Sequence, residues 1–136
     1  MDITHQFEGE NIEEDEGIWV ITLEKPFLVE LSVPQQISMF YEYGVLESCN
    51  QTMCEMYGFS EPSQLIGTRL GDLLPATQSN LEFLEAFIRN NYDLKDAESK
   101  ETDKVGKSVY FLNSMQGIVK DGIFFAAKGR QKLLKK

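Results

Sequence analysis

Apolar residues run in strand-like blocks at both ends of the chain and at helical spacing between them. "GIWVITLEKPFLVEL" (17–31) holds two β-rich runs separated by Glu24-Lys25-Pro26. "SVPQQISMFYEYG" (32–44) reads as a helix: Ser32 and Gln35 have capping-box spacing, Pro34 suits a first turn, and Ile37, Phe40 and Tyr41 share a face. Gly44 should end it. "VLESC" (45–49) predicts a short strand, and Asn50 a cap for the helix "QTMCEMYG", whose stripe is Met53, Met56 and Tyr57. Ser60 and Pro62 open another short helix through Ile66, stopped by Gly67, and "RLGDLLP" adds one turn ended by Pro75. Ser79 and Glu82 match a second capping box, starting the longest helix at about 80–91 with Leu84, Phe87 and Ile88 inward.

After Asn91 the period changes. "YDLKDAESKETD" (92–103) and "KSVYFLNSMQGIVK" (107–120) read as strands, and Asp121-Gly122 is a hairpin signal before "IFFAAKG". Strands at both ends with helices between them predict an α+β fold, one sheet partly covered by helices. No internal repeat or low-complexity linker is visible.

Composition narrows the picture. With 136 residues, 42% hydrophobic and 11% aromatic, the chain can build one packed core. A formal charge of −9 disfavours nucleic acid and anionic membranes as partners. The acidic run Glu8 to Glu16 and the basic run Lys128 to Lys136 read as solvated tails. The first residues contain no apolar block of a secretory signal, and "IFFAA" is too short to span a bilayer, so a cytoplasmic location is expected.

Candidate chemistry is sparse. Cys49, Cys54 and His5 cannot supply a four-ligand zinc site. The cysteines read as buried small hydrophobes, and His5 as a solvated terminal residue. With His5 in the polar lead-in, no Ser-His-Asp or Cys-His arrangement can form in the body. Asp72, Glu82 and Glu85 read as helix-surface carboxylates, and no Walker or dinucleotide glycine pattern occurs. Catalysis is not expected.

Three segments carry a resemblance. "VLESCNQTMCEMYGFSEPSQLIGTRLGDLLP", the long helix with its three-strand tail (79–125), and "LSVPQQISMFYEYG" together resemble a PAS domain of the bacterial sensor group over about residues 27–128. The end departs from the family: "GRQKLLKK" stands where many such domains carry an Asp-Ile-Thr-like element leading to an effector.

The resemblance implies a curved antiparallel sheet with short helices on one face and a hollow between the layers. It divides the chain into an acidic lead-in and first strand (1–26), the PAS-like body (27–128) and a basic tail (129–136). Met53, Met56, Tyr57, Phe83, Phe87, Phe111 and Phe125 are large enough to fill the hollow, with Asn50, Asn113 and Tyr57 as polar handles. An occupant should be small and mostly apolar. The long helix lacks the His through which haem-binding relatives ligate, and "SCNQTMC" lacks the Asn-Cys-Arg phrase of flavin photosensors. Neither haem nor a LOV-type flavin is therefore expected, and the cofactor stays open.

The expected role is a sensory or regulatory module that binds a small ligand or protein partner and signals to a histidine kinase or transcription regulator. The alternative is a constitutive dimerisation domain with a packed interior. A homodimer is expected through the N-terminal segment, by Trp19, Ile21, Phe27, Ile37, Phe40 and Tyr41. The competing possibility is that the lead-in folds back over its own sheet.

Overall fold

The computed structural model describes residues 6–134. His5, Lys135 and Lys136 lie outside the described residues. Five antiparallel strands form one sheet: β1 (Gly17–Leu28), β2 (Gly44–Cys49), β3 (Asp93–Thr102), β4 (Ser108–Lys120) and β5 (Ile123–Leu133), in the order β2-β1-β5-β4-β3. Helices α1 (Val33–Tyr43), α2 (Gln51–Met56), α3 (Leu70–Leu73) and α4 (Gln78–Arg89), with a 3₁₀ turn at Pro62–Gln64, connect β1 to β2 and β2 to β3. The α+β reading holds.

Local chemistry sets the boundaries. Ser32 caps α1 through the reciprocal box with Gln35, and the Gly44 N–H closes the helix on the Phe40 carbonyl. β2 begins at that glycine. The segment after Ser60 makes only a 3₁₀ turn, because Leu46 bonds across to Gly67 and Thr68 and draws the chain along β2 (Gly67 N to Leu46 O, 2.8 Å). The long helix starts two residues earlier than its sequence suggests. Thr77, rather than Ser79, caps it by accepting from the Asn80 N–H at 3.3 Å. At the hairpin, Asp121 and Gly122 have φ of 54° and 74°, the pair of positive values a type I′ turn requires.

One end of the core is aromatic. Phe124 stacks on Phe27 at 4.9 Å and meets Phe40 edge-on at 5.0 Å, with Phe87 and Tyr92 completing the group. Tyr92 donates to Gln36, whose amide in turn holds the Val29 and Leu31 carbonyls. This ties the end of β1 and the start of α1 to the strand that follows α4.

The first strand, β1, is an interior strand paired with both β2 and β5, and β5 runs on to Leu133, into the basic run. The expectation that the charged runs are solvated tails is corrected. Phe7 and Ile12 pack on Ile18 and Val20, on the sheet face away from the helices. Glu10 pairs with Lys128 (3.1 Å) and Arg130 (3.5 Å), the buried Glu16 with Arg130 (2.9 Å), and Glu13 with Lys132 (3.0 Å). Folding back satisfies the apolar face and pairs opposite charges at once. Among the described residues, no helix is long and apolar enough to cross a membrane.

Candidate functional site

The space between helices and sheet narrows to a cavity of about 30 Å³, enough for about two water-sized groups. Leu70, Leu73 and Leu74 around α3, with Met53 and Phe83, form its apolar wall, and the sheet contributes Trp19, Met115, Glu101, Asn113 and Gln131. Period-two alternation delivers the polar side. Ser99 and Glu101 share the inner face of β3, as do Phe111, Asn113 and Met115 on β4, and register sets Asn113 opposite Gln131 of β5. β5 pairs in turn with β1, where Trp19 faces Gly129. A Cβ on Gly129 would fall inside the Trp19 indole. The glycine is what lets the ring lie flat across β5.

A buried polar network occupies one end of the cavity. Tyr57 donates a short hydrogen bond to Glu101, Ser99 donates to Glu101 at 2.7 Å, and the Asn113 amide donates to Ser99 (2.7 Å) and Glu101 (3.2 Å). Gln131 reaches the Tyr57 oxygen at 3.4 Å. Asn80 of α4 clamps both the N–H (3.1 Å) and the carbonyl (2.6 Å) of Lys100, fixing the strand beside Glu101. Two residues lining the cavity retain buried polar atoms with no hydrogen-bond partner: Trp19 Nε1 and Asn113 Oδ1.

Burial sets the protonation chemistry. Loss of solvation pushes Glu101 above the usual carboxylate range, opposed by the donors Tyr57, Ser99 and Asn113. Tyr57 is raised well above the ordinary phenol value by burial first and the Glu101 charge second. The same two causes raise Tyr41 to about 12. Burial raises Cys49 to about 11 and also raises Cys54, so both thiols stay protonated near neutrality.

The Glu101 shift has a signed consequence. Its folded value exceeds its unfolded one, so the unfolded chain releases the proton first as pH rises. The Glu101 contribution to stability is therefore greatest below about pH 4, the unfolded carboxylate range, and falls until the folded-state carboxyl ionises. Glu101→Gln removes this component. Urea unfolding of both proteins between roughly pH 4 and pH 8 should show the wild type losing stability relative to the variant as pH rises; parallel profiles would count against a raised Glu101.

The sequence-predicted pocket residues divide. Met53, Phe83 and Asn113 line the cavity, while Tyr57, Phe111 and Met56 surround the polar network, Met56 contacting Gln131 at 3.8 Å. Phe87 lies in the aromatic core instead. Phe125 points outward and is 39% exposed: β4 pairs Ile118 with Ala126 and Val119 with Phe124, leaving Phe125 as the extra residue of a bulge. Asn50 is structural. Its Oδ1 accepts from Met53 N (2.9 Å) and Ile18 N (3.0 Å), and its amide donates to Glu16 O (3.1 Å). Asn50→Ala should cost about 2–3 kcal/mol in urea unfolding, a lost cap plus unpaired backbone groups.

The expected dimer face is not a surface. Trp19, Ile21, Phe27 and Phe40 are buried within their own chain, and Ile37 and Tyr41 pack against the same core. Asp72, Glu82 and Glu85 are exposed on helices, with Glu85 paired to Arg89 at 3.6 Å. Among the described residues, no three of His, Cys, Asp and Glu converge as a metal site. A second concavity of about 460 Å³ opens on the outer face, beside Phe7, Glu10, Lys128 and Arg130.

Sequence reading missed Glu101, Ser99, Gln131 and Asn80, and placed Trp19 at a dimer face where the structure has it lining the cavity. The shared parity of Ala97, Ser99 and Glu101 was available, but charges at Glu98 and Lys100 blur which face of β3 is buried.

No protein-family model and no curated protein sequence matches the chain. Solved structures do. The PAS domain of a protein from Colwellia psychrerythraea superposes with a TM-score of 0.59 at 15% identity, covering 88% of this chain and 86% of that one. The light-state dimer of the fungal blue-light photoreceptor Vivid gives 0.59 at 13%, covering 96% and 93%. A blue-light activated histidine kinase of Erythrobacter litoralis gives 0.61 at 14%, covering 89% of this chain but 33% of the kinase. At these identities the likeness concerns backbone architecture, and strand order, helix placement and interior hollow agree on it: this chain is a PAS-fold domain.

Proposed function

We propose that this domain is a sensory module of a signalling system, working in the cytoplasm, that responds to a small molecule held between helices and sheet. The observation carrying this reading is the central cavity, two of whose lining residues, Trp19 and Asn113, hold buried polar atoms without partners. Unsatisfied buried groups cost about 1–3 kcal/mol each, and an occupant supplying their hydrogen bonds would recover that energy. Catalysis is not part of the proposal.

The route of transmission is β5. Its inner face presents Gly129 and Gln131 to Trp19 and the polar network, while Lys128, Arg130 and Lys132 bind the carboxylates of the lead-in. A shift of β5 on occupancy therefore changes the hold on residues 6–16. A histidine kinase or transcription regulator is the proposed receiver. Self-association is proposed through the part of the outer sheet face that the lead-in leaves uncovered, where Phe125 is exposed.

Native mass spectrometry of protein purified from its own host tests the reading. The expected spectrum shows the chain with a small bound mass that is lost on denaturation. The bare chain mass in every preparation would count against it. That result would favour the second reading, a constitutive interaction domain, which the small cavity supports: drug-sized ligand sites measure about 300–1,000 Å³.

A further inference from the structure

Among the residues lining the cavity, Glu101 is the only acid, and its hydrogen-bond partners are Tyr57, Ser99 and Asn113, with no Lys, Arg or His contributing. When ionised it has no counter-charge within the network. Oε2 takes two donors but Oε1 takes one, so Oε1 retains acceptor capacity. Beside it, the Asn113 amide is oriented by its two donations, which leaves Oδ1 a buried acceptor without a donor. What is missing beside Glu101 and Asn113 is a donor for Asn113 Oδ1 and a positive charge.

The geometry points to a small protonated primary amine as the occupant, donating to Glu101 and Asn113 and balancing the carboxylate. Such a group brings three donors and one positive charge in a compact volume. The remaining orphan, Trp19 Nε1, calls for an acceptor, so a short amine that also carries a hydroxyl complements all three side chains. Size agrees with a short chain, because the cavity holds about two water-sized groups before its wall gives way. The wall most able to yield is α3: four residues with no side-chain cap, bearing Leu70 and Leu73. The assignment rests on reading the interior as a ligand site.

The test is titration of ¹⁵N-labelled protein with ethanolamine hydrochloride, compared with ethylene glycol at matched sodium chloride. Trp19 is the only tryptophan, so one indole N–H resonance reports directly on the cavity. The expected result is a saturable shift of the Trp19 indole and Asn113 side-chain resonances with ethanolamine alone. Glu101→Gln should weaken that binding about tenfold or more, the loss of a charge-assisted pair. An equal response to ethylene glycol overturns the amine assignment while leaving an interior ligand site intact. No response to either compound also overturns it. Native mass spectrometry then separates the cases: a bound mass keeps the interior site, and a bare chain rejects both. If Glu101→Gln does not fold, the wild-type comparison of the two compounds decides alone.

Discussion

Phe124→Ala is expected to cost about 3–5 kcal/mol, the range for deleting a fully buried aromatic ring. Phe124 is entirely buried and lies within 6.2 Å of four other rings, Phe27, Phe40, Phe87 and Tyr92, which come from β1, α1, α4 and the segment before β3. Removing it leaves a void that no single neighbour can fill, because Tyr92 is tethered by Gln36 and Phe27 by its strand. Domains of this size are stable by about 5–15 kcal/mol, so the variant should sit near the edge of folding. Urea unfolding should show a lower midpoint with an unchanged slope. A loss below about 1 kcal/mol would mean the aromatic group is not the packed unit described.

Gly129→Val is the second large effect, and it reaches the site. The Trp19 indole occupies the volume a side chain would take, so valine must displace the ring or bend β5 away from β1. Overpacking of this kind typically costs about 1–3 kcal/mol, and the stiff valine belongs at the upper end. A fall in Tm of roughly 10 °C is expected for a domain of this size. The shift should come with altered tryptophan fluorescence, since the only indole is the group displaced. Gly117→Ala is a useful control: its Cβ would meet Phe124 and Tyr92, so it should destabilise through the aromatic core while leaving the Trp19 signal unchanged.

How much of this was legible in the sequence depends on the range of the interaction. The box at Ser32, the cap at Asn50 and the Asp121-Gly122 hairpin are decided within four residues of chain, and each stands where sequence places it. The Thr77 cap was missed because the helix start is set from a distance, by Asn80 reaching Lys100 of β3. Phe125 was misplaced by a single bulge, which reverses inner and outer faces along β5. The N-terminal segment was read as a dimer face, with fold-back of the lead-in as the competing possibility, and fold-back is what the structure shows. Pairing of the acidic run with Lys128, Arg130 and Lys132 joins residues more than a hundred positions apart. The site shows the same divide. Of its apolar wall, Met53 and Phe83 were anticipated and Leu70, Leu73 and Leu74 were not, while Glu101 became a site residue only once strand register set it beside Tyr57 and Asn113.

The central claim is that interior occupancy is coupled through β5 to the lead-in on the opposite face. Hydrogen exchange, compared between the domain as purified from its host and the same protein stripped by unfolding and refolding, tests that coupling most directly. The prediction is changed protection at 70–74, beside the cavity, together with changed protection at 6–16, where Glu10, Glu13 and Glu16 hold β5. A change confined to the cavity wall, with 6–16 exchanging identically in both forms, would contradict it.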